Sequence, residues 1–128
     1  MAEQTIIIDT SVLIDYFRKT DKHQTWFVQL SETYRKMAIT AITEFEIYTG
    51  ATESQLPFWQ LLLARMPVQP FDSHAAQAAV SIQKELKMNR KSMEKADLFI
   101  AAITRVNEAP LATLNRKHFQ SVSGLVLL

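Results

Sequence analysis

Thr5-Ile6-Ile7-Ile8 is a run of β-branched residues without polar alternation, and it stops at an aspartate, Asp9. A strand with one wet face alternates; one apolar on successive residues must be buried on both faces. That requires a sheet covered by helices on two sides, so the remaining segments are read against it. Thr10 or Ser11 can cap a helix carrying Val12, Leu13, Tyr16 and Phe17. A second helix is expected over 23–35, with Trp26, Phe27 and Leu30 on one side, and a second buried strand over 37–40. A helix over 42–49 is ended by Gly50. Pro57 suits the first turn of a helix running to about Arg65, and Val68 is a strand residue between Pro67 and Pro70. Asp72 or Ser73 caps a long alanine-rich helix to about Met88, and a polar loop over 89–95 leads to a helix over 96–106. A short strand over 110–113, a brief helix from near Asn115 and a last strand over 125–127 follow. Strands alternating with helices predict a single three-layer α/β/α domain over 1–128, with a central, mostly parallel sheet of four to five strands.

Composition removes several functions. Two glycines, Gly50 and Gly124, cannot build a phosphate-cradling GxxxxGK[ST] or GxGxxG loop. The absence of cysteine excludes disulfides, zinc–thiolate sites and thiol nucleophiles. The start of the chain, with Glu3 and a short apolar run, is unlike a secretory signal, and no stretch reaches the roughly 20 apolar residues of a membrane span. A soluble, cytoplasmic protein with no membrane partner is therefore expected. Net charge is only +1, but its distribution is uneven: residues 1–64 hold five Lys/Arg against eight Asp/Glu, and residues 65–128 hold nine against five. Lys84, Lys87, Arg90, Lys91 and Lys95 concentrate the positive charge, enough to meet a polyanion and equally consistent with a solvated helix face.

In parallel α/β sheets ligands bind beyond the carboxyl ends of the strands. Asp9 stands there, although it could be an ordinary cap. Glu46 follows the second strand, although Thr43-x-x-Glu46 also matches a capping box; Glu44 is nearly opposite it on the helix. Asp97 heads the helix Ala96-Asp97-Leu98-Phe99-Ile100-Ala101-Ala102-Ile103, apolar almost all round, where a carboxylate needs compensation. Asn115 follows the fourth strand and can be an N-cap or a ligand through its carbonyl. Carboxylates converging on one pocket repel unless a cation neutralises them. An all-oxygen set favours a hard ion, Mg²⁺ or Mn²⁺.

Four segments resemble, in order, those of PIN domains: Ile8-Asp9-Thr10-Ser11-Val12-Leu13-Ile14 the opening hydrophobic-D-T/S-N/S, and Ile42 to Gly50 the T-x-x-E-L-x-x-G. Asp97-Leu98-Phe99-Ile100-Ala101-Ala102 is similar to D-x-x-I-A-A, and Thr113 to Phe119 to the closing T-x-D/N-x-x-D/E-F. The size resembles VapC-type toxins in particular. The resemblance implies a metal-dependent endoribonuclease in which Asp9 and Asp97 bind the ion, Glu46 orients the water or completes the shell, and Asn115 supports them. It also implies a homodimer and a cognate VapB-like antitoxin whose tail occupies the groove. Asn115 stands where many members have aspartate, and His118 replaces the acid of the closing pair, so the resemblance supports one fully occupied metal better than two. Glu94, a turn before Asp97, can partly substitute. Ser11, Lys91, Lys95 and Arg116 are candidate contacts for the RNA substrate.

Other chemistries find less support. His23, His74 and His118 do not pair at metal-ligand spacing, and Ser11 and Ser92 lack His/Asp partners for nucleophilic hydrolysis. Trp26, Phe27, Phe58 and Trp59 could stack bases but read as core or dimer interface at helical spacing. Two alternatives stay open: a degenerate PIN-like module that binds RNA or a partner without cutting, and, less well supported, a response-regulator-like domain, which needs an adjacent acidic pair not found here.

Overall fold

A computed structural model describes residues 2–128. The strands are β1 (Ala2–Ile8), β2 (Tyr34–Thr40), β3 (Val68–Gln69) and β4 (Leu111–Ala112). They form one sheet in the order β3-β2-β1-β4, with every pair parallel. The helices are α1 (Thr10–Arg18), α2 (Trp26–Thr33), α3 (Ala41–Gly50), α4 (Leu56–Leu63), α5 (Ser73–Met88), α6 (Lys95–Val106) and α7 (Arg116–Phe119).

The unalternating isoleucines explain the layering. Ile6 and Ile8 pack with Val12 and Leu13 of α1, Phe27 and Leu30 of α2, and Trp59 and Leu63 of α4. Ile7 faces the other way, onto Ala79, Ile82 and Leu86 of α5 and Leu98, Ala101 and Ala102 of α6. Successive side chains of a strand point to opposite faces, so a helical layer on each side buries all three. The result is the expected three-layer α/β/α arrangement with four strands. Among the described residues no helix is long and apolar enough to cross a membrane.

Local differences from the sequence reading have physical causes. The helix expected over 23–35 is shorter: a single 3-10 turn at Lys22–Gln24 precedes α2, and Tyr34 already has strand dihedrals. The seven-residue β1 offers partners as far back as Tyr34, so pairing draws Tyr34, Arg35 and Lys36 into β2 despite their polarity. The strand expected over 125–127 is reduced to one bridge, Leu127 to Leu111, with Leu111 N–H donating to the Val126 carbonyl at 2.8 Å. β4 is only two residues long and cannot template a longer neighbour.

The register sets up the site. Ile7 lies opposite Ala38 on one side, and Ile8 opposite Ala112 on the other. One further step brings Asp9 level with Thr113, and two steps beyond Ile7 bring it level with Thr40. An acid and two threonines thus share the carboxyl edge of the adjacent strands β2, β1 and β4.

Candidate functional site

Asp9 is the N-cap of α1, the role expected of Thr10 or Ser11, and it is only 3% exposed. A buried carboxyl group needs hydrogen-bond partners. Ser11 Oγ donates to Asp9 Oδ2 at 2.6 Å and Thr113 Oγ1 donates to the same oxygen at 2.8 Å, with Ser11 N–H at 3.4 Å. These hydroxyls are themselves held, Ser11 Oγ by Leu114 N–H at 3.0 Å and Thr113 Oγ1 by Asn115 N–H at 3.0 Å. All the donors converge on Oδ2. Oδ1 has none, yet no side-chain oxygen among the described residues is both sealed from solvent and unpartnered. Oδ1 therefore keeps some contact with solvent and has no partner among the described residues.

Glu46 projects from α3 toward α1. The helix begins differently from the capping box suggested by its sequence: Thr40 is the N-cap and accepts from Thr43 N–H at 3.1 Å. Freed from capping, Glu46 accepts at Oε1 from Thr10 Oγ1 at 2.7 Å, and Thr10 Oγ1 lies 2.9 Å from Thr43 Oγ1. Burial pushes the Glu46 carboxyl above its ordinary value; the Thr10 bond pulls it back, and the charges of Asp9, Asp97 and Glu94 push it up again.

Asp97 lies in the first turn of α6, half-buried rather than sealed as the apolar helix suggested. Burial raises its carboxyl too, opposed by the His118 charge and reinforced by Asp9 and Glu94. His118 Nδ1 lies 3.0 Å from Asp97 Oδ2. Glu46 thus feels the charges of Asp9, Asp97 and Glu94, and Asp97 those of Asp9 and Glu94, although Asp9, Glu46 and Asp97 are far apart in sequence.

The remaining candidates are more scattered. Asn115 is exposed at the head of α7 and its side chain makes no capping bond. Ser11 spends its one O–H on Asp9. Lys91 Nζ donates to Ser121 Oγ at 3.2 Å, Lys95 is exposed at the start of α6, and Arg116 Nη1 donates to the Leu128 carbonyl. A cavity of about 360 Å³ opens beside Asp97, lined also by Glu94, Lys91, Lys117, His118 and Ser121. A larger one of about 490 Å³, between Phe27, Met37, Leu62 and Arg65, touches no acid, so size does not mark the site. Thr10, Thr113 and Lys117 lie in segments that the sequence reading singled out, but it gave none of them a role in the site. A signal existed for Thr113, which ends β4 as Asp9 ends β1.

The donor set suits a hard divalent cation. Oxygens without partners remain on Asp9, Glu46 and Asp97, and the carboxylates destabilise one another without a counter-charge. Among the described residues no three acids or histidines already close into a metal shell. An ion here would keep some of its own water, as Mg²⁺ commonly does.

The PIN-domain family model matches residues 6–125. The chain belongs to the PIN-domain family. It is 31% identical over 119 residues to the "Ribonuclease VapC1" of Methanocaldococcus jannaschii, covering 92% of this chain and 81% of the relative. The PIN fold is also that of VapBC2 from Rickettsia felis bound to a promoter DNA fragment, with a TM-score of 0.85, 20% identity and 98% of each chain covered. A toxin–antitoxin complex from Klebsiella pneumoniae gives a TM-score of 0.76 at 25% identity, covering 94% of this chain and 95% of that one.

Proposed function

We propose that this PIN-domain protein is a divalent-metal-dependent endoribonuclease that hydrolyses RNA phosphodiester bonds, the toxin of a cytoplasmic toxin–antitoxin pair. The observation that carries the reading is Asp9, whose Oδ2 is fixed by three donors while Oδ1 is left without a partner, and whose charge helps raise the proton affinity of Glu46 and Asp97. The ribonuclease name of the archaeal relative supports the reaction class.

Asp9 and Asp97 would hold Mg²⁺ or Mn²⁺ through their unpartnered oxygens. When bound, the ion supplies a more acidic water and a counter-charge for the attacked phosphate. Ser11 and Thr113 hold Asp9 in a fixed orientation. Glu46 accepts the proton of the attacking water, and its raised pKa brings it nearer the range in which a general base works. Asn115 steadies Thr113 through its backbone N–H. Lys91, Lys95 and Arg116 contact the RNA backbone; the Arg116 guanidinium has five N–H donors and uses one on Leu128.

A VapB-like antitoxin is the partner that blocks the groove, a reading supported by the likeness to the Klebsiella pneumoniae complex. A homodimer is supported by Phe45 on α3 and Leu61 on α4, which are 68% and 75% exposed. A module that binds RNA without cutting it is favoured by the His118 contact on Asp97 and by Asn115 standing in place of an acid. The test is cleavage of a structured RNA with Mg²⁺ or Mn²⁺, comparing the wild type with Asp97→Asn. Metal-dependent cleavage lost in the variant is expected; equal cleavage by both proteins removes the site, and binding without cleavage selects the module.

A further inference from the structure

We infer that the cavity beside Asp97 is a subsite for one nucleotide of the RNA substrate, with its phosphate held by Lys91 and Lys117. The inference rests on the nuclease reading for its substrate class. Its own support is the distribution of charge around the cavity. Glu94 and Asp97 come from the start of α6, whereas Lys91 comes from the preceding loop and Lys117 from α7.

Opposite charges sharing a cavity ordinarily pair. Here neither lysine is within ion-pair distance of an acid among the described residues. Lys91 has only a neutral partner, Ser121 Oγ, and an ammonium has three donors, so two remain. Lys117 is exposed and makes no side-chain hydrogen bond among the described residues. The two ammonium groups are therefore free to meet an anion.

The acids in the same lining limit what that anion can be. A compact dianion would be repelled by Glu94 and Asp97. A nucleotide within RNA has a phosphodiester on each side of a neutral sugar and base, so one phosphate can meet the lysines while the neutral part lies toward the acids and the other phosphate reaches the ion site. The volume of about 360 Å³ is at the low end for small-molecule sites, suited to one nucleotide rather than a folded segment. Ser92 and Ser121 add hydroxyls that can bond a base edge or ribose, and His118, tied to Asp97 through Nδ1, presents a ring for stacking. Because Asp97 lines this cavity and also belongs to the proposed ion site, the nucleotide held here would adjoin the scissile phosphate.

The test is calorimetric titration of the whole chain, in saturating Mg²⁺, with adenosine 5′-monophosphate, adenosine and inorganic phosphate. The monophosphate is expected to bind more tightly than either fragment. In the Lys91→Ala/Lys117→Ala double variant its affinity should fall about tenfold or more, as for loss of charge-assisted bonds. Adenosine affinity and Mn²⁺ affinity, followed by electron paramagnetic resonance, should not change. An unchanged monophosphate affinity in the double variant, or a monophosphate bound no better than phosphate, overturns the subsite. The two readings fail separately. Tight monophosphate binding lost in the double variant, without any RNA cleavage, keeps the subsite and removes the nuclease; metal-dependent cleavage with the same KM in both proteins keeps the nuclease and removes the subsite.

Discussion

The two sides of the acidic cluster are built on opposite principles. Asp9 sits at the end of the central strand, almost wholly buried, with three donors on one oxygen. Glu46 and Asp97 are half-exposed on helices, with one side-chain partner each, and both hold their protons more tightly than usual. The first carboxylate is held in one orientation by the fold. The other two are destabilised as anions by burial and by their neighbours, so they gain when a cation arrives. A site of this kind is anchored on one side and responsive on the other, so substitutions on the two sides should differ in kind.

Asp9→Asn should have the largest effect. It removes the anchored charge and sets an amide N–H₂ among groups arranged to donate, so RNA cleavage should drop by on the order of 10³-fold. Cleavage within tenfold of wild type would erase the distinction between the two sides. Thr113→Val comes next. Asp9 keeps its charge but loses a buried donor, and loss of such a supporting contact typically costs about 10–100-fold in metal affinity or activity. Thermal unfolding should also move down, because a buried carboxylate is left short of a partner.

Thr10→Val probes the responsive side. Without the Thr10 bond that favours the ionised form, the Glu46 carboxyl rises further, so the acid limb of the cleavage pH profile should move to higher pH while the rate on its plateau falls only a few-fold. An unmoved limb would mean that Glu46 does not set it. The smallest effect is on stability without metal. Glu46 has a folded-state pKa above its unfolded value, so its favourable contribution is present at low pH and lost as pH rises through the folded value. Glu46→Gln should therefore raise the unfolding temperature in EDTA at pH 7, on the order of 1–2 °C given its partial exposure, and the gain should vanish at acidic pH. The same comparison at Asp9 should give no such gain.

Much of this frame is legible in the sequence, because it rests on local pattern. Unalternating Ile6, Ile7 and Ile8 require two helical layers, and an aspartate ending that run must lie on the ligand-binding edge. What escapes depends on register. Thr113 reaches Asp9 across 104 positions and Thr10 reaches Glu46 across 36; that Thr113 follows a strand is legible locally, but which acid either threonine meets is not. The capping-box reading of Thr43 and Glu46 is locally sound but places the helix start three residues late, since Thr40 is drawn into the cap by ending β2. The last strand fails for a similar reason: Leu125, Val126 and Leu127 have the composition, but two-residue β4 leaves them nothing to extend along.

The central claim is that carboxylates from β1, α3 and α6 serve one divalent ion. Titration of Mn²⁺ into the wild type and into Asp9→Asn, Glu46→Gln and Asp97→Asn, read by electron paramagnetic resonance, addresses it without reference to RNA. The account expects a site in the wild type that every one of the three substitutions weakens, Asp9→Asn most. Mn²⁺ binding with wild-type affinity in Asp9→Asn or Asp97→Asn would contradict it.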